Sequence, residues 1–417
     1  MNKNGGKFMY LKRKIDSYLV EWKANENRKP LIIKGPRQIG KTESVKKFAE
    51  ANYDSVIEIN FVLSEKYKMI ANDGYDADTI IKNISLIDPS YKFIPGKTLI
   101  FFDEIQEYPK IATSLKFFKT DGRFDVICSG SLLGINYRQI ESNSVGYKTD
   151  YDMYSLDFEE FLWANGIEPP LTSILENCLS EEKPVPDALH HRMRQLLLQY
   201  AVVGGMPDAV NAFINTHRLD RVLQIQRDIV RSYKDDMIKY ADKKDKSCIT
   251  ECFESIPRQL AKENKKFQYS LVKKGATSSK YAGSLQWIEE AGIITRCYNL
   301  SITELPLDGN SIENMFKVYM RDIGLFVSML EDGTQYDILQ GNLYGYKGAI
   351  FENLIADIFA KMGRKLYYFH KDSGLEVDFV IRYHGECTLV EVKASDGNTK
   401  STKTIPINII TLHPKIA

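Results

Sequence analysis

A phosphate-binding motif is the first group of residues in this chain whose types and spacing could do chemistry. Residues 35–42, GPRQIGKT, satisfy the pattern G-x-x-x-x-G-K-[ST], directly after a short apolar strand and at the start of a helix. Gly35 and Gly40 allow backbone conformations that turn successive N–H groups toward phosphate oxygens. Lys41 would reach the outer phosphates and assist catalysis there, and the Thr42 hydroxyl would ligate Mg²⁺. The motif therefore predicts that the chain binds ATP together with Mg²⁺.

An acidic pair follows a second apolar strand. The run 98–102, TLIFF, ends in Asp103 and Glu104, and the carboxyl ends of parallel strands are where such sheets bind ligands. Asp103 would hold Mg²⁺ through water, while Glu104 would orient and deprotonate the attacking water. Taken alone, the pair could merely end a strand on a solvated loop. The motif at Lys41 and Thr42 favours the catalytic interpretation.

A polar turn follows a third strand. Residues 125–128 are succeeded by Ser129-Gly130-Ser131. Because this strand would lie next to the acidic one, Ser129 could sense the γ-phosphate of ATP. A Ser/Gly turn that simply leaves a strand accounts for the same residues, and both interpretations stay open.

Carboxylates and a lysine alternate near the end of the chain in a pattern that could bind another metal ion. Asp378 lies on the polar face of the strand LEVDFVI, because side chains alternate between the two faces of a strand. Glu391 and Lys393, in TLVEVKA, are two residues apart and also share a face. If the hairpin turns at His384 and Gly385, Asp378 lies directly opposite Glu391, at about 5 Å.

At that distance Asp378 and Glu391 would bridge one Mg²⁺. Lys393 would polarise an attacking water or stabilise a pentavalent phosphate, and Glu352, on the preceding helix, would lean into the same metal site. The competing interpretation is a solvated sheet face held together by cross-strand ion pairs. Even a metal-binding arrangement of these residues would not by itself establish catalysis.

The elements that must position the phosphate-binding residues alternate between helices and short apolar strands. A helix is predicted over residues 7–23 and another from about Thr42. Strands are predicted at 31–33, 55–61, 98–102 and 124–128. Apolar strands that alternate with helices indicate an α/β fold with a mostly parallel, buried sheet, as in a P-loop NTPase core.

The rest of the chain has a different pattern. From Gly166 it is mainly helical, with helices predicted at 187–202 and 218–240. Residues 253–300 read as short helices followed by a small hairpin, an order that resembles a winged helix. From Gly345 a helix and three strands predict a small α+β unit.

Two lysine-rich runs lie in the helical part, at 231–247 and 258–280. Together they would form a patch that contacts the phosphates of DNA. Charge runs are also common as solvated helix faces, so that alternative stays open.

Composition excludes several classes of protein. The 417 residues include 56 Lys+Arg against 55 Asp+Glu, and a net charge of +1 gives no global attraction to nucleic acid. With 43% hydrophobic and 27% charged residues, the chain has the composition of an ordered protein with two or three domains. No apolar run approaches the roughly 18–20 residues of a membrane span, and no secretory signal or disulfide framework is evident. We expect a cytoplasmic protein.

Together these motifs resemble a group of prokaryotic AAA-type P-loop ATPases with a DUF4143-like C-terminal module. The resemblance rests on GPRQIGKT, FFDEIQ, CSGSLLG and YSLDFEEFL, and it continues through YAVVGGMPD, WIEEAGIIT, KVYMRDIGL, EVDFVI and LVEVKAS. It covers the chain from about residue 30 to residue 395.

The resemblance implies three domains. An AAA-type ATPase domain would span residues 1–165, and a helical, winged-helix-like region would span 166–330. An α+β domain similar to PD-(D/E)xK nucleases, that is, restriction-endonuclease-like, would span 331–417.

Two departures from the family pattern bear on these expectations. Residues 146–148 are Gly-Tyr-Lys where the family usually carries Gly-Arg, so that Lys148 or Arg138 would have to substitute for the arginine. The tail after Lys393 is short, and Pro406 disfavours a helix in it, so the last domain is expected to be trimmed.

The leading hypothesis is an ATP-hydrolysing, Mg²⁺-dependent AAA-type protein coupled to a nuclease-like domain that acts on DNA. The alternative is a nucleotide-dependent switch whose nuclease-like domain is inactive and only binds DNA or a protein partner. A third hypothesis is a structural protein with a vestigial site. Because related ATPases often use an arginine from a neighbouring subunit, a homo-oligomer is also expected; a membrane partner is not.

Overall fold

Five short strands alternate with helices in the first part of the chain and form one parallel sheet. The computed structural model describes residues 9–131, 144, 146–169, 171–181, 183–241, 245–262, 265–341, 347–371, 374–392 and 409–412. The strands are β1 (Leu31–Gly35), β2 (Ser55–Asn60), β3 (Thr98–Asp103), β4 (Asp125–Ser131) and β5 (Thr149–Asp152), and the helices are α1 (Lys14–Ala24), α2 (Lys41–Asn52), α3 (Ala77–Ile87) and α4 (Leu115–Asp121).

The sheet has the order β2-β3-β4-β1-β5, and all of its pairings are parallel. Every residue of β1 and β3 is buried, as expected for strands that helices cover on both faces. The α/β core predicted from the sequence is confirmed. Strand β5 was not predicted, because its sequence, TDYD, has no apolar run.

The first helix begins later than the periodicity predicts. It starts at Lys14 instead of residue 7, because Arg13 is extended and its backbone N–H donates to the Asp16 carboxylate at 2.8 Å. This cap satisfies a backbone donor at the start of the helix. Leu11 is buried although it precedes the helix, so its apolar side chain belongs to the core and not to a helical stripe.

The chain divides into two compact units, Lys7–Ser155 and, together with the first six residues, Leu156–Ala417. The second unit contains helices α5 (Phe158–Ala164), α6 (Leu171–Ser180), α7 (Asp187–Val203), α8 (Pro207–Thr216), α9 (Leu219–Tyr240), α10 (Lys246–Leu260), α11 (Tyr269–Val272), α12 (Ser278–Glu290), α13 (Ile323–Ser328), α14 (Thr334–Gln340) and α15 (Lys347–Lys361). Its strands are β6 (Ile294–Leu300), β7 (Ser311–Met320), β8 (Leu366–His370), β9 (Glu376–Tyr383), β10 (Glu386–Val392) and β11 (Ile409–Leu412).

The six strands of the second unit form one mixed sheet with the order β11-β10-β9-β8-β6-β7. Strands β6 and β7 form an antiparallel hairpin. A hairpin was predicted within residues 253–300, and only β6 lies in that range. Strand β6 also pairs in parallel with β8. The hairpin is therefore part of the same sheet as the C-terminal strands, so that sheet includes strands from both sides of residue 330.

The C-terminal hairpin has the predicted register. Tyr383 pairs with Glu386, so the chain turns at His384 and Gly385. The trimmed final domain stays a prediction; β11 adds a strand in parallel beside β10.

A buried ionic network fixes the end of α15. The Lys361 ammonium donates to the Asp357 carboxylate at 3.0 Å, to the Tyr200 hydroxyl at 2.9 Å and to the Leu156 carbonyl at 3.1 Å. Tyr200 in turn donates to the Leu156 carbonyl at 2.8 Å. The network joins the start of the second unit to α7 and α15.

Two glycines allow the backbone to approach this network closely. Gly205 donates its N–H to the Asp322 carboxylate at 2.9 Å. A Cβ on Gly205 would lie 2.0 Å from the Leu156 carbonyl oxygen, and one on Gly204 would lie 2.3 Å from an Asp322 oxygen. The segments YAVVGGMPD and KVYMRDIGL therefore meet in one buried structure. Within the described residues, no helix combines the length and the apolarity that a membrane crossing requires.

Candidate functional sites

The loop between β1 and α2 holds Lys41 inside the first unit. Its ammonium donates to the carbonyls of Gly35 at 3.0 Å and Pro36 at 2.7 Å. Burial lowers the pKa of Lys41 to about 8, although the carboxylates of Glu104 and Asp103 oppose this shift. The lysine thus lies inside the loop that would surround the phosphates.

The local structure explains why both positions of the motif are glycine. Gly40 precedes α2 in the left-handed conformation, with φ at 93°, where a side chain would be strained. A Cβ on Gly35 would lie 2.2 Å from the Met153 carbonyl oxygen. Glycine at these positions allows the tight turn and the close packing of the loop.

Asp103 lies at the centre of the polar contacts beside this loop. Its carboxylate accepts a hydrogen bond from the Thr42 hydroxyl at 3.0 Å, from the Asn60 amide at 2.9 Å and from the Ser129 hydroxyl. The predicted residues Thr42, Asp103 and Ser129 are thus brought together at the carboxyl ends of β3 and β4. Their hydroxyl and carboxylate oxygens are the donors that Mg²⁺ prefers, and this donor set fits the ion.

Glu104 has an unusual backbone conformation. Its φ is 57°, in the left-handed region. The side-chain amide nitrogen of Gln106 donates to the Glu104 carboxylate, and the side-chain amide oxygen of Gln106 accepts from the Ser131 N–H at 3.2 Å. Gln106 therefore links the acidic turn to β4.

Asn60 and Gln106 were missed as site residues in the sequence. Asn60 ends β2 at the same edge of the parallel sheet as Asp103, and that position was the available signal. Gln106 lies within the motif FFDEIQ but has no charge that would single it out.

Arg13 was also missed, because it precedes the first helix and looks like part of a basic N-terminal segment. It is buried, and its guanidinium donates to the carbonyls of Ile39 at 2.8 Å and Tyr154 at 2.7 Å. It therefore ties the phosphate loop to the segment that follows β5.

Of the two substitutes considered for the family arginine, Arg138 lies outside the described residues. Lys148 forms an ion pair with Asp150 at 2.6 Å, and Lys34 contacts the same carboxylate at 2.6 Å. Lys148 is thus already paired with a carboxylate of β5.

In the second unit, the C-terminal hairpin brings the two predicted carboxylates together. Continuing the register of β9 and β10 places Asp378 opposite Glu391, and Asp378 accepts a hydrogen bond from the Val392 N–H at 2.7 Å. Burial, with the Glu352 carboxylate next in effect, raises the pKa of Asp378 to about 8. Lys393, predicted to act on the attacking water, lies outside the described residues.

Glu352 projects from α15 toward this hairpin, as predicted, but it is already bound. It accepts hydrogen bonds from the Lys265 ammonium and, at 3.0 Å, from the Tyr319 hydroxyl. Burial alone would raise the pKa of Glu352, but Lys317 and Lys265 lower it below its ordinary value.

Lys317 is the main residue that the sequence reasoning missed here. It lies on β7 and is 1% exposed, with its ammonium 2.7 Å from Glu376 and 3.6 Å from Glu352. Burial would lower the pKa of Lys317, but the carboxylates of Glu352, Glu376 and Asp378 raise it well above its ordinary value. The available signal was a lone lysine inside the apolar run FKVYM.

The carboxylates of this cluster do not fit a metal ion as they stand. Across the described part of the chain, no group of three or more His, Cys, Asp or Glu side chains is arranged to hold one. Glu352 is occupied by protein donors, which leaves Asp378 and Glu391 without the third predicted ligand.

Part of the two lysine-rich runs lines a cavity of about 650 Å³ in the second unit. Four cations and one carboxylate line it, and apolar or small residues complete its walls: Arg227, Lys234, Arg258, Lys262 and Glu254, with Val230, Pro257, Ala261, Ser328 and Met329. Lys234 pairs with Glu254 at 2.6 Å and Arg227 pairs with Asp332. Lys262 is exposed. The cations outnumber these two carboxylates, so the cavity suits an anionic ligand.

Three segments of the chain match described families. Residues 27–162 match an AAA domain, residues 194–336 match a domain of unknown function, DUF8612, and residues 347–409 match a domain of unknown function, DUF4143. The AAA and DUF4143 matches confirm both ends of the resemblance seen in the sequence. The first of these segments is an ATP-binding AAA-type domain; the nuclease likeness of the last stays a prediction.

Solved structures are similar to this chain at low sequence identity. The Walker-type ATPase of Pyrococcus abyssi matches with a TM-score of 0.46 and 11% identity, over 78% of this chain and 99% of that one. ORC1 of Aeropyrum pernix in complex with DNA matches at 0.31 and 12%, over 81% and 94%. The RuvB Holliday junction branch migration motor of Thermotoga maritima matches at 0.32 and 12%, over 69% and 90%. No curated protein matches the chain significantly.

Proposed function

We propose that the AAA-type domain at residues 27–162 binds ATP with Mg²⁺ and hydrolyses it. The observation that carries this proposal is the convergence on Asp103, whose carboxylate contacts the hydroxyls of Thr42, at 3.0 Å, and of Ser129. Thr42 and Asp103 would hold the ion, which when bound supplies positive charge to the phosphates. Ser129 would detect the γ-phosphate from β4.

Lys41 supplies the protein's own positive charge to the outer phosphates. Its ammonium now donates to the carbonyls of Gly35 and Pro36. Hydrogen bonds to ionised phosphate oxygens are stronger than bonds to neutral carbonyls. ATP would therefore draw the ammonium away from the loop and onto the phosphates.

Glu104 is the proposed general base for the attacking water. It follows Asp103 directly, and Gln106 holds its carboxylate. A carboxylate in hydrogen-bond reach of the water can take its proton as the bond to the γ-phosphate forms.

Two substitutions test this proposal. Lys41→Ala should abolish ATP binding measured by calorimetry, while Lys47→Ala, an exposed lysine on the same helix, should leave it unchanged. Glu104→Gln should retain binding but slow phosphate release about 100-fold, the usual effect of losing a general base. Unchanged ATP binding in Lys41→Ala would refute the proposal.

The cation that completes the ATPase site is proposed to come from a second copy of the chain or from a protein partner. Lys148, which stands near the position of the family arginine, is engaged by Asp150. A dependence of specific ATPase activity on protein concentration would support self-assembly.

We further propose that the second unit contacts DNA and does not cut it. The cationic cavity between α9 and α10 supports DNA contact, since Lys and Arg bind phosphates without regard to sequence. The engagement of Glu352 by Lys265 and Tyr319 supports the absence of cleavage. With ATP turnover in the first unit, this amounts to a nucleotide-dependent switch.

Metal-dependent DNA cleavage is the second candidate for this unit, and the facing positions of Asp378 and Glu391 favour it. In this case both carboxylates would hold Mg²⁺ with Glu352, and Lys393 would act on the attacking water. The candidate requires Glu352 to leave its present partners.

DNA binding and cleavage are tested separately. Lys262→Ala should weaken DNA binding in fluorescence anisotropy and lower the slope of its salt dependence by about one, while Lys183→Ala, an exposed lysine of the same unit, should not. Supercoiled and single-stranded DNA are incubated with Mg²⁺ or Mn²⁺, with and without ATP. Cleavage that disappears in Asp378→Ala would establish the second candidate.

A further inference from the structure

Lys317 reaches the C-terminal carboxylates from a strand that is distant from them in the sheet. Strand β7 is at one edge of the sheet, and β6 and β8 separate it from β9. The side chain is covered along its length and passes over the Tyr368 ring, with the ammonium 4.8 Å from the ring centre. It ends between Glu376 and Glu352.

The contacts of Lys317 are of the kind that a metal ion would otherwise make. Its ammonium is 2.7 Å from a Glu376 oxygen and 3.6 Å from a Glu352 oxygen. Buried carboxylates require a nearby positive charge or hydrogen-bond donors, because burial removes their water. Lys317 provides that charge from within the chain, and Lys265 adds a second cation on the other Glu352 oxygen.

A divalent ion at this position would meet two obstacles. It would have to displace the donors on Glu352, and it would lie close to the ammonium of Lys317, a residue that is only 1% exposed. Like charges at such short distances repel strongly where water is excluded. The arrangement of carboxylates therefore suits a lysine and not a metal.

We propose that the ammonium of Lys317 takes the place of the divalent metal in this cluster, so that the second unit keeps a nuclease-like arrangement without binding metal. The inference rests on the proposed function of this unit, contact with DNA without cleavage, and explains how the carboxylates stay buried in it. It also predicts that removing the lysine charge creates a metal site from Glu352, Asp378 and Glu391.

The wild-type chain provides the first test. Mn²⁺ binding is measured by electron paramagnetic resonance on the full, nucleotide-free protein, so that the ATPase site has no phosphates to recruit the ion. Wild type and Asp378→Asn should bind the same amount of Mn²⁺. An ion that binds wild type and is lost in Asp378→Asn would overturn the proposal, whether or not any other variant folds.

The second test restores the metal site. Lys317→Met replaces the ammonium with an apolar chain of similar length and should gain one Mn²⁺ per chain. Adding Asp378→Asn to Lys317→Met should abolish that gain. If Lys317→Met does not fold, the double variant Lys317→Met/Glu376→Gln is used. The second substitution removes the negative charge of Glu376, which has lost its lysine partner, and the same gain of Mn²⁺ is expected. A folded variant without the gain would overturn the proposal.

Failure here is distinguishable from failure of the proposed DNA contact. DNA binding is measured by anisotropy on the same wild-type preparation, and it depends on Lys262 and the other cations of the cavity. If wild type does not bind DNA, the proposed function is refuted. If wild type binds Mn²⁺ in a way that requires Asp378, only the role of Lys317 is refuted.

Discussion

Gln106 determines the orientation of the proposed catalytic base. Glu104 is in the left-handed backbone region, which costs a residue other than glycine about 1 kcal/mol or more. The side-chain amide of Gln106 offsets that cost by holding the carboxylate, and its oxygen is anchored by the Ser131 N–H. Glu104 is thus held in place before any water arrives.

Replacing Gln106 should therefore affect turnover more than binding. In Gln106→Ala we expect kcat for ATP hydrolysis to fall about 10-fold, since misplacing a general base forfeits part of its contribution, while the KM for ATP stays within a factor of two or so. Steady-state phosphate release measures both constants. Gln286→Ala, on an exposed helix face, serves as the control. An equal kcat in Gln106→Ala and wild type would contradict this role.

The sequence predicts single residues best where their position along the chain implies their position in space. Asp103 ends β3, Ser129 lies near the end of β4, and Thr42 opens the helix after the loop that follows β1; they meet because the carboxyl ends of parallel strands lie at one edge of the sheet. Lys317 was not predicted, because a charged residue on a strand is usually solvated, and a lone lysine inside the apolar run FKVYM does not indicate what covers the strand. Its partners are contributed by distant segments.

Arg13, which directly precedes α1, connects the start of this helix to the phosphate loop. Its two hydrogen bonds satisfy the carbonyls of Ile39 and Tyr154. A buried polar group that loses its partner costs about 1–3 kcal/mol.

Arg13→Ala should consequently destabilise the first unit by about 2–4 kcal/mol, since it leaves two carbonyls without a donor. It should also weaken ATP binding, because the loop loses an anchor. Urea unfolding followed by circular dichroism measures the first effect, and Lys47→Ala is the exposed control. A change below about 0.5 kcal/mol, the usual range for surface substitutions, would contradict the prediction.

The turn between α7 and α8 depends on glycine. In Gly205→Ala the new Cβ would lie 2.0 Å from the Leu156 carbonyl oxygen, so the backbone must shift. We expect a loss of roughly 2 kcal/mol or more, typical of strained core substitutions. Gly283→Ala is the matched control, because nothing lies within 4 Å of that position in α12 and alanine should stabilise the helix by about 0.5–1 kcal/mol. Thermal unfolding of both variants tests the comparison.

Helices and strands could be predicted where a single hydrophobic periodicity dominates the sequence. The buried strands β1 and β3 and the long helices α7 and α9 follow their apolar patterns. Strand β5 does not, because its pairing with the neighbouring strand β1 determines it. The start of α1 does not either, because the hydrogen bond to Asp16 determines where the helix begins. Strand β11 was missed because its pairing with β10 depends on the whole sheet.

At the scale of the whole molecule, buried carboxylates make stability depend on pH. Burial, with the nearby Asp322 carboxylate, raises the pKa of Asp357 to about 7, although Lys361 opposes the shift. The folded protein therefore holds a proton that the unfolded chain releases near its ordinary pKa of 3.8. This contribution is fully present below that value and is lost as the pH rises to about 7.

Asp357→Asn should remove that dependence. Between about pH 4 and pH 7 the melting temperature of wild type should fall relative to that of the variant, since only the folded wild type holds the Asp357 proton there. Asp378, whose pKa is raised to about 8, adds a dependence of the same sign that the variant retains. Scanning calorimetry across this range makes the comparison. Identical slopes would show that Asp357 is not the responsible group.

The parallel pairing of β6 with β8 has a consequence for how the protein is made. Cys297 pairs with Leu366, and the strands beyond β8 come still later in the chain. When a ribosome has released only β6 and β7, the inner edge of β6 has no partner, and unpaired strand edges tend to associate with other chains. The second unit cannot complete its sheet until β8 to β11 have been translated. A nascent chain halted before β8 should therefore require a chaperone, while the first unit, whose five strands have all emerged by then, folds early.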